Sequence, residues 1–239
     1  MTFSIVARCP RTGALGVATS SKALSAGGGV PHCRARVGAI ASQAFSNPYL
    51  GIDGLALLEQ GLPAERTLER VIETDAGRDL RQLGIVDKEG RVAAYTGERC
   101  IEWAGHVPGG GYVCLGNILT GEDVIKAMAT AFEASVEEEL PERLIHALEA
   151  GQGAGGDRRG RQSAGIQIVR TEEYPYCDLR VDDHPDPVPE LRRVLAIWQH
   201  NEPLLQAEPR RDDFTPYWDA VVRTRDIMEE SLREDAAAR

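Results

Sequence analysis

Residues 1–8 read MTFSIVAR, and residues 13–21 read GALGVATSS. In the first stretch Phe3, Ile5 and Ala7 alternate with Thr2, Ser4 and Arg8, the period of two that marks a strand. The intervening CPRTG (9–13) is a turn built on Pro and Gly, so the second stretch folds back on the first as a hairpin. RVGAIASQA (36–44) follows as a third strand. Gly, Ala and Ser occupy both faces of these strands, which suits a sheet packed closely against other layers on both sides.

Outward from this hairpin the period changes. GIDGLALLEQG (51–61) predicts a short helix, and LPAERTLERVIETDAG (62–77) a second, with Pro63 near its first position and Gly77 past its end. LRQLGIVD (80–87) and RVAAYTG (91–97) return to strand alternation around the turn DKEG, and GYVCLGNIL (111–119) is a further strand. Two more helices are expected: residues 121–137, capped by Thr120, and residues 141–150, closed by Gly151. GQGAGGDRRGRQSAG (151–165) leads into the strand GIQIVR, CDLRVDD (177–183) forms the last strand, and 189–199 forms a helix. Helices in adjacent pairs, not singly between strands, argue against a doubly wound weave. The expected class is α+β: a four-layer αββα sandwich of two mainly antiparallel sheets between helical layers. Residues 1–198 make that domain. Residues 199–239 form a helical C-terminal extension; Tyr217 and Trp218 within it, with Trp198 just before it, are apolar anchors onto the body or a neighbouring subunit.

The net charge of −10 disfavours nucleic acid as a partner. It is unevenly spread: residues 1–52 hold no Asp or Glu, yet carry Arg8, Arg11, Lys22, Arg34 and Arg36, so a local positive field is expected inside an acidic protein. Five scattered cysteines and five scattered histidines show no metal-binding spacing, and neither a metal nor a cofactor is expected. The first apolar run is too short for a signal peptide core, and no stretch reaches the roughly 20 apolar residues of a membrane span. The expectation is a cytoplasmic protein acting on a small molecule, without a membrane partner.

Thr2 is the candidate for chemistry. A small second residue permits removal of Met1, which leaves a threonine carrying both a hydroxyl and a free α-amine. That amine has an ordinary pKa of roughly 7.7–8.0. A neighbouring cation shifts it toward the neutral, base-competent form. It can then accept the proton of its own Oγ and activate it as a nucleophile.

The order TFSIVAR, TGALGVATSSK, RVGAIASQA resembles the opening of N-terminal nucleophile hydrolases, the group that includes proteasome β-subunits and aspartylglucosaminidase-like enzymes. More closely, MTFSIVAR, GVATSSK, IASQAFSNPYLG, GLALLEQG, RDLRQLGIVD, GRVAAYTG, WAGH, GNIL, AGGDRRGRQSAG and DLRVDDHPDPVPELRR resemble the family named domain of unknown function 1028. The resemblance implies the sandwich fold and places the nucleophile on Thr2. It implies that the strand-opening cation falls on Arg36, with Lys22 as the alternative, and that Ser163 stands beside the amine. The acidic position near the end of the second strand holds Thr19 and Ser20, and the acid before the late Ser falls on Gly160, with Asp157 close by. Arg36 cannot shuttle a proton, so it can only steady charge. The superfamily's assemblies imply a homo-oligomer, a dimer or larger.

Around this centre, a backbone N–H near Gln43 or Ala44 and the Asn47 amide are candidate oxyanion donors, against the alternative of a plain Asn-Pro turn. Asn117 is a further polar candidate. His106 is either a pocket residue or a packed loop histidine. Arg158, Arg159 and Arg161 could hold a carboxylate or phosphate, or form ordinary salt bridges in a solvated loop, and Asp157 is a further substrate-binding candidate. The leading expectation is an N-terminal-threonine amidohydrolase acting through an acyl-enzyme on a small carboxylate-bearing amide. The alternative is a non-catalytic small-molecule binding or assembly protein on a decayed scaffold. Ser20 and Cys33 are weaker nucleophile candidates with no marked base.

Overall fold

The computed structural model describes residues 2–201 and 209–237. In chain order the elements are β1 (Thr2–Arg8), β2 (Leu15–Ser21), the four-residue helix α1 (Ala26–Gly29), β3 (Pro31–Arg34), β4 (Gly38–Ala44), α2 (Pro48–Glu59) and α3 (Ala64–Thr74). They continue with β5 (Arg81–Asp87), β6 (Val92–Thr96), β7 (Gly105–Gly109), β8 (Tyr112–Gly116), α4 (Asp123–Ala134) and α5 (Leu140–Gly153). β9 (Ser163–Val169), β10 (Cys177–Val181), α6 (Pro187–Asn201) and α7 (Thr215–Ala237) complete the chain. The chain divides into two compact units, residues 1–193 and 194–239, so the division falls inside α6, a few residues before the expected boundary. In the second unit Phe214, Tyr217 and Trp218 meet edge to face, and Trp218 is exposed.

The first unit is the four-layer αββα sandwich. One sheet has six strands in the order β10-β9-β2-β1-β8-β7, the other four in the order β3-β4-β5-β6, and all pairings are antiparallel. α4 and α5 lie on the outer face of the larger sheet, and α2 and α3 on the outer face of the smaller. β1 is an interior strand, paired to β2 from Thr2↔Ser21 to Arg8↔Leu15.

Strand alternation gives each residue one of two destinations. On β1, Phe3 packs toward α5, where it lies against Gly151, while Val6 joins a core formed between the sheets with Val17, Ala41, Val86, Val113 and Leu115. Thr2 and Ser4 share the inter-sheet face with Val6. The sheets approach closely because Gly84 faces β8: a Cβ there would lie 2.9 Å from Val113 Cγ1. The space between the sheets is therefore apolar along one half, around Val6, Leu15 and Val86. It turns polar toward the end where β1 begins.

Three short elements lie outside the sequence expectations: α1, β3 and β7. α4 starts later than expected. Thr120 does not cap it; its N–H donates to the Gly156 carbonyl, and the N-cap position is Glu122, without a side-chain cap. α2 begins three residues earlier than expected because Asn47 caps it, its Oδ1 accepting from Tyr49 N at 3.1 Å ahead of Pro48. Asn47→Ala is expected to lower stability by about 1 kcal/mol, measured by urea unfolding, as for other lost helix caps.

Candidate functional site

At the start of β1 the inter-sheet space holds a cluster of buried polar side chains. Thr2 is 4% exposed, and its Oγ1 donates to Ser21 Oγ at 3.2 Å. Its carbonyl accepts from the Asn117 main-chain N–H of its own sheet at 3.1 Å and from Gln43 Nε2 of the other sheet at 3.3 Å. Residue 2 is thus clamped from both layers. Ser4, one step deeper, donates to Gln43 Oε1 at 2.6 Å and accepts from Thr19 Oγ1 at 2.8 Å.

Gln82 on β5 joins the pieces. Its Oε1 accepts from Gln43 Nε2 at 2.8 Å and from Asn117 Nδ2 at 2.9 Å. Its Nε2 lies 2.7 Å from the Gly116 carbonyl, 3.0 Å from Thr96 Oγ1 and 3.1 Å from the Gly105 carbonyl. Thr96 Oγ1 also meets His106 Nδ1 at 2.9 Å, and burial shifts that imidazole below its ordinary pKa, favouring the neutral ring. A buried network with its partners in place rigidifies the layer it joins, and here that layer carries Thr2.

A second group pins the segment that follows Ser21. Asp157, 5% exposed, accepts the Lys22 main-chain N–H on Oδ2 at 2.9 Å and is held by Arg159 Nη2 at 2.9 Å. Ser163, paired with Ser21 across β2 and β9, donates to the Ala23 carbonyl at 2.6 Å and accepts from Ala26 N at 3.0 Å. Ser163 and Asp157 thus fix residues 22–26, placing half-buried Lys22 directly after the cross-strand partner of Thr2.

The expected residues therefore separate. Thr2, Gln43 and Asn117 come together, with Ser163, Asp157 and Lys22 on the adjoining segment. Arg36 is elsewhere. It does not open a strand but sits exposed in the β3–β4 turn, at φ +62°. β4 begins at Gly38, and Gly38 pairs with Asp87 at the end of the sandwich where β1 finishes, not where it starts. Asn47 spends its side-chain oxygen on the α2 cap. Gln43 contributes its side chain, not its backbone, to Thr2. Arg159 and Arg161 are tied to Asp157 and Asp186, whereas Arg158 is exposed and its N–H donates to the Ile118 carbonyl at 3.0 Å. Ser20 and Cys33 take no part in the cluster; burial of Cys33 pushes its thiol far up. Ser4, Ser21, Gln82 and Thr96 were not singled out from the sequence. Gln82 left one signal, a polar residue in the inward register of β5 with Gly84 and Val86.

Beside this cluster lies a cavity of about 210 Å³, lined by Ala44, Phe45, Ile101, Asn117 and Ile118. Ala44 at φ +71° and Ile118 at φ +50° both take left-handed backbone, which for a β-branched residue is sterically costly. Ile118 is held there by its N–H to the Ile101 carbonyl at 2.9 Å. Phe45 is held by its N–H to the Leu80 carbonyl and by Arg81 Nη1 on its own carbonyl, while Arg81 Nε reaches Asp75 Oδ2 at 2.7 Å. That guanidinium holds the Asp75 carboxyl below the usual carboxylate range. Because the folded pKa lies below the unfolded value of about 3.9, the contribution is complete above that value and lost as pH falls through the folded pKa. Asp75→Asn is expected to flatten the loss of stability below about pH 4, measured as urea midpoints against pH.

A larger cavity of about 430 Å³ lies between α2 and α3, with Leu50, Leu57, Arg70 and Val71 in its walls, and includes none of the polar cluster. Among the described residues one metal-capable group occurs, Glu138, Glu142 and His146; Arg192 already bonds Glu142 and contacts His146 Nδ1 at 3.2 Å. No helix among the described residues is long and apolar enough to cross a membrane.

Residues 2–191 match the Family of unknown function (DUF1028). The chain belongs to the DUF1028 family. The matched span opens on Thr2 and includes every member of the polar cluster. The crystal structure of protein SPO2555 from Silicibacter pomeroyi, described with the same family, is 33% identical, with 90% of this chain and 94% of that one covered and a TM-score of 0.83. Anbu (ancestral beta-subunit) from Yersinia bercovieri aligns at 12% identity over 82% of this chain and 96% of its own, with a TM-score of 0.38. Anbu from Hyphomicrobium sp. strain MC1 aligns at 11% identity over 82% and 93%, also at 0.38. No curated protein matches the chain.

Proposed function

We propose that this DUF1028 chain is an amide hydrolase of the N-terminal nucleophile type, with Thr2 as nucleophile once Met1 has been removed. The observation that carries the reading is the placement of Thr2. It opens an interior strand, its hydroxyl is buried at the polar end of the sandwich, and its carbonyl is clamped by donors from both sheets beside a cavity. Such preorganisation is what a nucleophile on a chain terminus requires, because an end that moves cannot hold an attack geometry.

The α-amine takes the Oγ proton as Oγ bonds to the substrate carbonyl carbon. The same proton passes to the leaving nitrogen as the C–N bond breaks, leaving an acyl ester on Thr2. A water molecule then attacks that ester, the amine accepting its proton, and the C–Oγ bond breaks to give a carboxylic acid and restore the hydroxyl. Ser21 orients the hydroxyl. Lys22 is the cation that keeps the amine neutral, and Ser163 and Asp157 are positioning residues for its segment. Ala44, on the cavity wall, keeps the expected oxyanion role. Arg158, at the Ile118 edge of the cavity, is the residue assigned to a substrate carboxylate. The test is turnover of a panel of N-acyl amino acids by the wild-type protein, followed by acid release; a preference for these over neutral amides that is lost in Arg158→Ala supports the assignment.

One observation favours the second reading, a binding protein on the same scaffold. The acidic position of the resembled hydrolases holds Thr19 and Ser20 here; Thr19 donates its hydroxyl to Ser4 and supplies no charge. Ligand binding that survives Thr2→Ala, together with no turnover by the wild type, selects that reading.

A further inference from the structure

The cavity beside Thr2 has chemistry of its own. Four of its five walls are apolar: Ala44, Phe45, Ile101 and Ile118. The fifth, Asn117, directs its amide nitrogen to Gln82 and its main-chain N–H to Thr2. An apolar wall of this kind offers a ligand burial and little hydrogen bonding. Its volume, about 210 Å³, is below the roughly 300–1,000 Å³ of sites that enclose whole ligands. It is large enough for one substituent, since apolar cavities of about 150 Å³ take up benzene.

Two of its walls are large apolar residues left open to solvent: Phe45 is 57% exposed and Ile101 46%. They come from different segments, the end of β4 and the β6–β7 connection, and meet at this cavity, whose Asn117 wall bonds the Thr2 carbonyl. The backbone positions that shape it, Ala44 and Ile118, are held in left-handed conformations by surrounding hydrogen bonds; strain of this kind persists where the structure over-determines it and clusters at ligand sites.

We infer that this cavity is an acyl subsite: it receives an apolar side group, phenyl or branched alkyl, carried on the acyl half of the amide. The inference deepens the hydrolase reading and rests on it for the word acyl, but the binding it asserts needs no catalysis. Arg158 bonds the Ile118 carbonyl through its main-chain N–H and is exposed; with the carboxylate role proposed for it above, the substrate class is an amide with an apolar acyl group and a carboxylate on the amine half.

The experiment uses the full-length Thr2→Ala protein, which binds without turning over. Phenylacetamide and acetamide are titrated separately and followed by protein-detected NMR. Phenylacetamide is expected to bind at least about tenfold tighter than acetamide, the gain from burying the ring. Ile101→Asp, at an exposed position that tolerates a polar residue in the fold, is expected to erase that difference. Equal binding of the two amides, or a preference unchanged by Ile101→Asp, overturns the subsite. The outcomes separate the two readings: ring-selective binding with no wild-type turnover removes the hydrolase and keeps the pocket. Turnover of acetyl and phenylacetyl amides at equal kcat/KM, with no ring-selective binding, does the reverse.

Discussion

Replacing Thr2 by alanine is expected to lower amide hydrolysis by at least about 10³-fold in kcat/KM, the scale of losing a nucleophile that acts as a unit with its base. The protein should stay folded. Removing Oγ1 costs one hydrogen bond, to Ser21, and the clamp on the Thr2 carbonyl is a main-chain feature that alanine keeps. Thr2→Ser keeps the hydroxyl and the amine and is expected to retain measurable activity. A Thr2→Ala protein as active as wild type would transfer the chemistry to another group. The decisive readout is the pair of variants: loss in alanine with retention in serine isolates the hydroxyl from any effect of packing.

The second large effect belongs to Gln82. Gln82→Leu is nearly isosteric, so it removes partners without opening much space. It strips the acceptor from Gln43 Nε2 and Asn117 Nδ2, and the donor from the Gly116 carbonyl. All of these groups lie where water has little access, since Gln43, Gln82 and Asn117 are each at most 1% exposed. A buried group left unpaired costs about 1–3 kcal/mol, and such costs within one network are not additive. The expected loss is about 3–5 kcal/mol of unfolding free energy, measured by urea denaturation with an unchanged m-value. Gln43 and Asn117 also hold the Thr2 carbonyl, so activity should fall with stability. A loss below about 1 kcal/mol would mean that the network re-pairs without Gln82, and its role as the joint between the sheets would be withdrawn.

The way the sequence encodes these two residues differs. Thr2 was legible because strand alternation is local: a polar residue two and four positions before Ser4 and Val6 on one face needs no knowledge of a partner. The paired helices and the eight strands other than β3 and β7 were legible for the same reason, and they were enough to define the sandwich. β7 was not, because GHVPG is an edge strand with a proline and two glycines, a composition that reads as a loop. α1 was not, because AGGG has almost no helix propensity and is set by its surroundings.

Site residues were legible to the degree that their role follows from their own strand. Asn117 and Gln43 sit at strand ends with polar side chains facing inward. Arg36 lies away from Thr2 because the strand begins two residues later than expected; its positive φ places it in the bend, and Gly38 opens β4. Asn47 caps α2 through its side-chain oxygen, the Asn-Pro turn of its two readings, and its side chain also hydrogen-bonds Asp75. Gln82 could be read as an inward polar residue, but its importance arises only when the two sheets are stacked, and no stretch of one strand contains that information. The resemblance put Ser163 beside the amine; in the structure its hydroxyl bonds Ala23 and Ala26.

The central claim is that residue 2 is a reactive terminal threonine. Treating the native protein with a β-lactone and mapping the N-terminal peptide by mass spectrometry tests it in one measurement. The account predicts a peptide that starts at Thr2 and carries the acyl label on that residue; an unlabelled peptide that still begins with Met1 contradicts it.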